Sequence, residues 1–347
     1  MPGRSLTRRS VALALPIWGA ICGAGCGPEI PFTWQVVDVL DLGMNVQVTE
    51  LGPLSDPPDP DGRAFQEAMP LDQIRASVMV ANTEGPVPVE DLSFAWFACN
   101  GPACDSSLDT PPCPEGGVES DGCALGTAAQ MTFQFADSDD PEQGLQTLMS
   151  GGRILVRAIG GLTDDPGPQA CLERLESGAD LGRCMIVDGV AQQGSLGELL
   201  DLYESRGGVL PEDALVEVQR QMPRNRVPLA AQVWVRRETA ESATPLLPSE
   251  PIGARVGEVL DFEWRPEEAD LEEVTVIASD GTTLSNVDLF TDTWWTTQRA
   301  TEFDDTGPGR GVRWVVGPDT GTFTLYTVIR DDSDATDWAA FTVEVSR

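Results

Sequence analysis

The chain has 347 residues, enough for two domains with real cores, and carries 56 acidic against 22 basic residues, a net charge of −34. Every basic residue is Arg, because neither Lys nor His occurs. The charge excludes a nucleic-acid partner, whose phosphates such a field repels. The missing residues exclude a Ser-His-Asp triad, an imidazole zinc site, a Schiff-base lysine and a phosphate-loop lysine. Catalysis, if any, would rest on Asp, Glu, Ser, Thr, Arg or the tyrosines Tyr203 and Tyr326. The acidity reads first as a solvated surface under a compositional bias, with life in salt or cation binding as the alternatives.

At the start, Arg4, Arg8 and Arg9 precede any acid, the apolar run 11–21 follows, and Gly23-Ala24-Gly25-Cys26 closes it. That is the order of a secretory signal. The run is too short for a membrane-spanning helix. The Gly-Ala-Gly-Cys ending resembles the lipobox of bacterial lipoproteins, although that family prefers Leu where Gly23 stands. The resemblance implies a signal peptide over 1–25, acylation of Cys26 and a lipidated tether over 26–32. More than one acyl chain on Cys26 would give the double signal that stable membrane attachment requires. The alternative is a plain cleaved signal, with Cys26 free or paired. Residues Thr7-Arg8-Arg9-Ser10-Val11 are also similar to a twin-arginine signal, which implies export after folding.

Of eight cysteines, Cys22 leaves with the signal and Cys26 is the lipid site. Cys99, Cys104, Cys113, Cys123, Cys171 and Cys184 remain, and an even set in an exported chain reads as disulfides. Nearest-neighbour pairing is expected: 99 with 104, 113 with 123, 171 with 184. A zinc cluster is the rival, disfavoured because no Cys-x-x-Cys occurs.

In chain order, 33–37 and 45–49 read as strands, and 51–70, rich in Pro, Asp and Gly, reads as a loop. Strands follow at 74–80 and at 92–99, the latter with Phe94, Trp96 and Ala98 on one side. The stretch 100–126 holds four cysteines and little apolar periodicity, so it is expected to be a disulfide-rich loop held by its bridges. Met131, Phe133 and Phe135, then Ile154, Val156 and Ala158, mark strands at 130–136 and 153–159, with a helical turn at 142–149 between them. A helical insert is expected over 168–221. Its helices fall at 170–175, at 195–205 with Leu196, Leu199, Leu200 and Tyr203 at helical spacing, and from Pro211. The first domain thus spans 33–226.

From 227 to 347 the turns come at short intervals. Strands are expected at 231–235, 259–264, 274–277, 291–297, 312–316, 323–330 and 338–345, with Asp280-Gly281 as a hairpin turn. That spacing indicates an antiparallel sandwich. Val256-Gly257-Glu258 leading into the Trp264 strand, and Tyr326-Thr327-Val328-Ile329-Arg330-Asp331-Asp332 before a final strand, resemble immunoglobulin-like and polycystic-kidney-disease-like modules of bacterial surface proteins. The resemblance implies a mainly β protein of two β-sandwich domains. The whole layout is similar to acidic surface lipoproteins of Gram-negative bacteria, which implies the outer membrane or cell surface, or its periplasmic side, and no activity.

Four features were candidates for chemistry. Asp305-Thr306-Gly307 and Asp319-Thr320-Gly321 match the aspartic-protease tripeptide, but lie too close in one small domain to supply two lobes and read as turns. Acidic clusters at 56–62, 137–140 and 331–334 could ligate calcium, or be solvated turns. Trp294 and Trp295 are adjacent in a strand, so they face opposite ways and one is expected to be exposed, as a platform for a sugar ring. Glycoside hydrolysis needs two carboxylates, and no pair stands out among many. The expectation is a non-catalytic, lipid-anchored binding or structural module without a cofactor, whose partner is an envelope protein or a glycan. An envelope glycan-binding protein and a carboxylate hydrolase are the alternatives.

Overall fold

Ile74, Ala76, Val78 and Val80 alternate along the strand Gln73–Asn82 and point into one core, while Met79 and Ala81 point into another. A strand buried on both faces is the middle of a stack, and that is the plan of this protein. The computed structural model describes residues 35–36, 38–52, 55, 63–69, 71–100, 106–113, 122–134, 153–163, 166–193, 225–266, 273–277, 283–287, 290–299, 302–305, 311–331 and 334–347. The structure is mainly β, and Thr33–Arg347 gather into one unit. Among the described residues no helix is long and apolar enough to cross a membrane.

Four sheets form the layers. The first is five-stranded, in the order Glu67–Ala68, Met185–Gln193, Arg153–Leu162, Leu92–Asn100, Cys123–Ala128. It packs on a sheet centred on Gln73–Asn82, with Leu40–Glu50 on one side and Gly85–Pro86 and Gln130–Gln134 on the other. Phe94, Trp96, Val156 and Val187 from the first sheet meet Met44, Val46, Ile74 and Val78 from the second. Trp96 stands edge-on to Phe94 at 6.0 Å, and its indole N–H donates to the Ala128 carbonyl at 2.9 Å.

The C-terminal sandwich repeats the scheme. One sheet runs Ile252–Arg255, Thr336–Ser346, Gly321–Arg330, Thr291–Thr296. The other runs Thr244–Pro245, Val233–Arg237, Val259–Trp264, Val312–Val315, Glu302–Asp305. Leu260, Phe262, Trp314, Leu325 and Phe341 fill the space between them. Glu273–Ile277 and Thr283–Val287 pair antiparallel, and Asp280-Gly281, expected as the turn between them, lies outside the described residues.

The two sandwiches are joined back to back. Leu42, Met79 and Ala81 from the N-terminal side share a cluster with Tyr326 and Val328 from the C-terminal side, and Trp295, Trp338 and Ala340 pack around it. Tyr326 is fully buried there and stacks on Trp338 at 6.5 Å. Leu42 reaches this seam through a bulge. Asp41 pairs with Val80 and Gly43 with Met79, so Leu42 is extra. Strict alternation would put Leu42 and Met44 on the same face, but the bulge sends Leu42 to the seam and Met44 to the first core. Gly43 accommodates the bend at φ 129°.

Polar contacts run along the same seam. Arg330 Nη2 donates to the Leu42 carbonyl at 2.8 Å, and Asn45 Nδ2 donates to the Thr336 carbonyl at 2.5 Å. Asn225 Nδ2 donates to Asp331 Oδ2 at 2.9 Å, and the Ala230 N–H to Asp337 Oδ2 at 2.9 Å. The chain on either side of the expected domain boundary at 226 is therefore tied to both sandwiches. Gln66 N–H donates to the Asn225 carbonyl, and Val227 N–H to that of Ala64.

Three expectations are corrected. Of the helical insert over 168–221, the helix Pro168–Ser177 is present, but Met185–Gln193 is an interior strand, and 194–224 lies outside the described residues. Met185, Val187 and Ala191 alternate into the core, and Gly189 keeps the strand flat against its neighbour, since a Cβ there would sit 2.6 Å from Met44 Sδ. The cysteine-rich loop 100–126 contains the edge strand Cys123–Ala128, and the loop 51–70 contains the short parallel strand Glu67–Ala68. The helical turns at 142–149, 195–205 and from Pro211 all lie outside the described residues, as does Phe135.

Close sheet packing sets a test. A Cβ on Gly160 would lie 2.1 Å from the Ser93 carbonyl oxygen, whereas one on Gly253 meets nothing within 4 Å. Gly160→Ala is expected to destabilise the chain by about 2 kcal/mol or more, as overpacking against backbone does. Gly253→Ala should stay within about 0.5 kcal/mol of the parent in the same urea titration, as exposed substitutions do.

Candidate functional site

The cysteines act as staples. Cys113 and Cys123 are bonded with Cα atoms 4.7 Å apart, and Cys171 and Cys184 with Cα atoms 5.5 Å apart, so both described pairs join sequence neighbours. Cys99 is disulfide-bonded as well, while Cys104 and Cys26 lie outside the described residues. The first bridge holds its segment beside the edge strand, where Cys113 N–H donates to the Ala124 carbonyl and Ala124 N–H to that of Pro111. The second fastens the helix Pro168–Ser177 over Ala95, Phe97 and Ile159, on the outer face of the first sheet.

Trp294 and Trp295 do face opposite ways, but neither is exposed. Trp294 is 4% exposed inside the C-terminal core, 6.1 Å from Phe262, with its indole N–H donating to Asp292 Oδ2 at 2.7 Å. Trp295 is half-buried against the seam cluster. Alternation gave their directions correctly. The expected exposure fails because a second sandwich covers the outer face of their sheet.

The buried carboxylates are pins for the backbone. Asp72, fully buried, accepts Gly52 N–H at 2.6 Å and Ser55 Oγ–H at 2.5 Å on one oxygen and Met69 N–H at 2.8 Å on the other. This gathers the Pro- and Asp-rich stretch with which sequence reading associated only a loop. Asp292 accepts Gly311 N–H at 2.8 Å, and Asp331 Oδ1 accepts Ala335 N–H at 2.7 Å. The calcium candidate at 331–334 thus has its first acid inside the seam, and the clusters 56–62 and 137–140 lie outside the described residues. Among the described residues no group of three or more His, Cys, Asp or Glu could hold a metal ion. Of the two Asp-Thr-Gly copies, Asp305 ends a strand and Thr306 and Gly307 lie outside the described residues. Asp319 stands in an exposed turn, where its carbonyl accepts Gln298 Nε2 at 2.8 Å.

Burial sets the electrostatics of the seam. It raises the carboxyls of Asp41 and Asp337 above the ordinary range, against hydrogen bonds that lower both and the Arg330 charge that also lowers Asp41. It also lowers the Arg330 guanidinium, which the Asp41 charge raises. The Tyr326 phenol is pushed well up by burial. Away from the seam, the hydrogen bond that a protonated Glu302 donates to Asp304 raises the Glu302 carboxyl, and the Asp304 charge adds to it. That pair sits on the edge strand Glu302–Asp305, with both residues exposed to solvent.

A cleft of about 720 Å³ opens where the edge strand Ile252–Arg255 approaches the strand Val233–Arg237. Arg237 spans the two sheets, with one nitrogen on Glu258 Oε1 and the other donating to the Gly253 carbonyl. Glu258 Oε2 accepts the Arg255 N–H at 2.9 Å. Val256, 40% exposed, and Ser346, whose hydroxyl donates to the Ala254 carbonyl at 3.2 Å, complete this side. Such a lining can hold polar or charged groups of a partner. Sequence reading missed it, because Arg237 and Glu258 are 21 positions apart and only the sheet contact unites them.

The sequence matches no protein family and no curated protein. In structure it is similar to a nucleoside hydrolase-related protein of Saccharophagus degradans associated with carbohydrate metabolism, at 8% identity and a TM-score of 0.22. The overlay covers 45% of this chain and 34% of that one, and at that TM-score it carries no argument.

The seam acids make stability depend on pH. A carboxyl whose folded pKa is raised binds its proton more tightly in the folded state. The chain therefore gains stability as pH falls through the folded pKa of Asp337 toward the unfolded value near about 4. Asp337→Asn removes this contribution. The variant is expected to match or exceed the parent in thermal midpoint at pH 7, and to lose that advantage as pH is lowered toward 4.

Proposed function

We propose that this is a non-catalytic, lipid-anchored protein of the cell envelope, exported and held at the outer membrane or cell surface through Cys26. It displays a rigid two-sandwich body as a binding or structural module, with an envelope protein or glycan as its partner. The observation that carries the reading is the way the chain joins that body. Val36, 1% exposed, lies in the seam cluster, and its N–H donates to the Thr296 carbonyl at 3.0 Å, while Gln35 bridges the same residue. Asp38 then pairs with Arg183 at 3.1 Å. Gln35 and Val36, nine and ten residues after Cys26, are thus built into the joint between the sandwiches, which supports a tether at Cys26 that holds the whole body.

Two further features support it. The disulfides suit an oxidising compartment outside the cytoplasm. The buried carboxylates of Asp72, Asp292 and Asp331 accept backbone N–H groups, which is structural work.

Cys26→Ser tests the anchor. The parent is expected in the membrane fraction, with acyl mass on the peptide that begins at Cys26, and the variant in the soluble fraction. Recovery of both in the soluble fraction, or a parent Cys26 without acyl mass, would overturn the reading.

A further inference from the structure

The cleft of Arg237 and Glu258 lies along the free edge of a strand, and these two side chains close that edge. Ile252–Arg255 pairs in parallel with Thr336–Ser346, and beyond its end Val256 N–H donates to the Ser346 carbonyl at 2.9 Å. This register turns the backbone groups of Ala254 toward the neighbouring strand and those of Gly253 and Arg255 away from it, into the cleft. There the Gly253 carbonyl accepts from Arg237, and the Arg255 N–H donates to Glu258 Oε2 at 2.9 Å, while Arg237 and Glu258 pair with each other. A residue of a further parallel strand, opposite Ala254, would make the same two backbone bonds, its N–H to Gly253 and its carbonyl from Arg255. The ion pair stands in for one residue of a fifth strand in this sheet.

We propose that this edge receives an extended, basic segment of a partner protein, added in parallel beside Ile252–Arg255 as the Arg237–Glu258 pair swings aside; this rests on the reading of the body as a binding module. Backbone hydrogen bonds would hold the segment, and its alternate side chains would set the choice of partner. The sense is parallel because Glu258 N–H already donates to the Arg255 carbonyl at 2.9 Å, an acceptor that an antiparallel neighbour would need. The cleft of about 720 Å³ gives room, and a Cβ on Gly253 or Gly257 would meet nothing within 4 Å. The side chains of Arg237 and Glu258 are 39% and 21% exposed, and an ion pair so open to water is readily exchanged for other bonds. Ile252 and Ala254 stay fixed in the core beneath, so the edge is preformed. Charge selects the occupant. Within the cleft Arg237 and Arg255 balance Glu238 and Glu258, so the field of the whole chain, net −34, decides. It repels a second copy of this chain and draws in a segment that carries Lys or Arg.

The test uses the full-length chain and a blocked peptide of alternating Lys and Val, beside the same peptide methylated at every amide nitrogen. The methylated form keeps the charge, so it carries any unspecific attraction, but it cannot donate to a strand edge. The unmethylated peptide is expected to bind at least about tenfold tighter, as the loss of two or more hydrogen bonds implies. Its binding should slow hydrogen exchange at the Gly253 amide, which faces the cleft. The double variant Arg237→Ala, Glu258→Ala should bind it several-fold tighter than the parent, because the pair no longer competes for the edge. Equal affinity for the two peptides, or unchanged exchange at Gly253, would overturn strand addition. Binding by the double variant and not by the parent would also overturn it, since the pair would then be a permanent guard of the edge. The peptide comparison in the parent needs no substitution, so a variant that fails to fold leaves the test standing. Acyl mass on Cys26 is read from the same preparation, so failure at this edge is told apart from failure of the lipoprotein reading.

Discussion

The structure depends on one apolar joint, the layer in which Leu42, Met79 and Ala81 meet Tyr326 and Val328. Without it the inner sheet of each sandwich would show an apolar face to water. With it each inner sheet is buried on both sides, as in the strand Gly321–Arg330, where Leu325 and Ile329 serve one core and Tyr326 and Val328 the other. The run Leu325-Tyr326-Thr327-Val328-Ile329 has the near-continuous apolar character that burial on both faces demands. Loss of water contact by Tyr326 and Trp338 is the main favourable contribution, since large aromatic rings carry the most buried area.

Polar groups give the joint its register. Arg330, Asn45, Asn225 and the acids Asp331 and Asp337 reach backbone or side-chain partners across it, so sliding one sandwich over the other would strand several buried groups at once. Burying a charge costs more than burying a methyl group, and the shifts of Asp41, Asp337 and Arg330 are the signature of that cost. The start of the described chain enters this same layer through Val36.

Much of the fold was legible in local alternation. Ile74 to Val80, Phe94 to Ala98 and Ile154 to Ala158 each announced a strand, because each has one face on the first core. Several strands escaped, and two of them show why. Cys123–Ala128 has little apolar content beyond Leu125, as an edge strand can, and Met185–Gln193 is interrupted by Asp188-Gly189, a pair that usually marks a turn. Here Gly189 is instead the space into which Met44 packs. The seam was not legible. Alternation tells that Trp294 and Trp295 point opposite ways, yet what covers the Trp295 face is a sheet more than two hundred residues away in sequence. The cleft was hidden for the same reason, since Arg237 and Glu258 belong to different strands.

The seam makes two sandwiches into one cooperative body. Calorimetry of the full chain with its disulfides intact checks this, because an all-or-none transition requires the calorimetric and van't Hoff enthalpies to agree. One transition with equal enthalpies is expected in the parent, and a split into two when Tyr326→Ser opens the joint. Two separate transitions in the unaltered protein would show that each sandwich stands alone, and would contradict it.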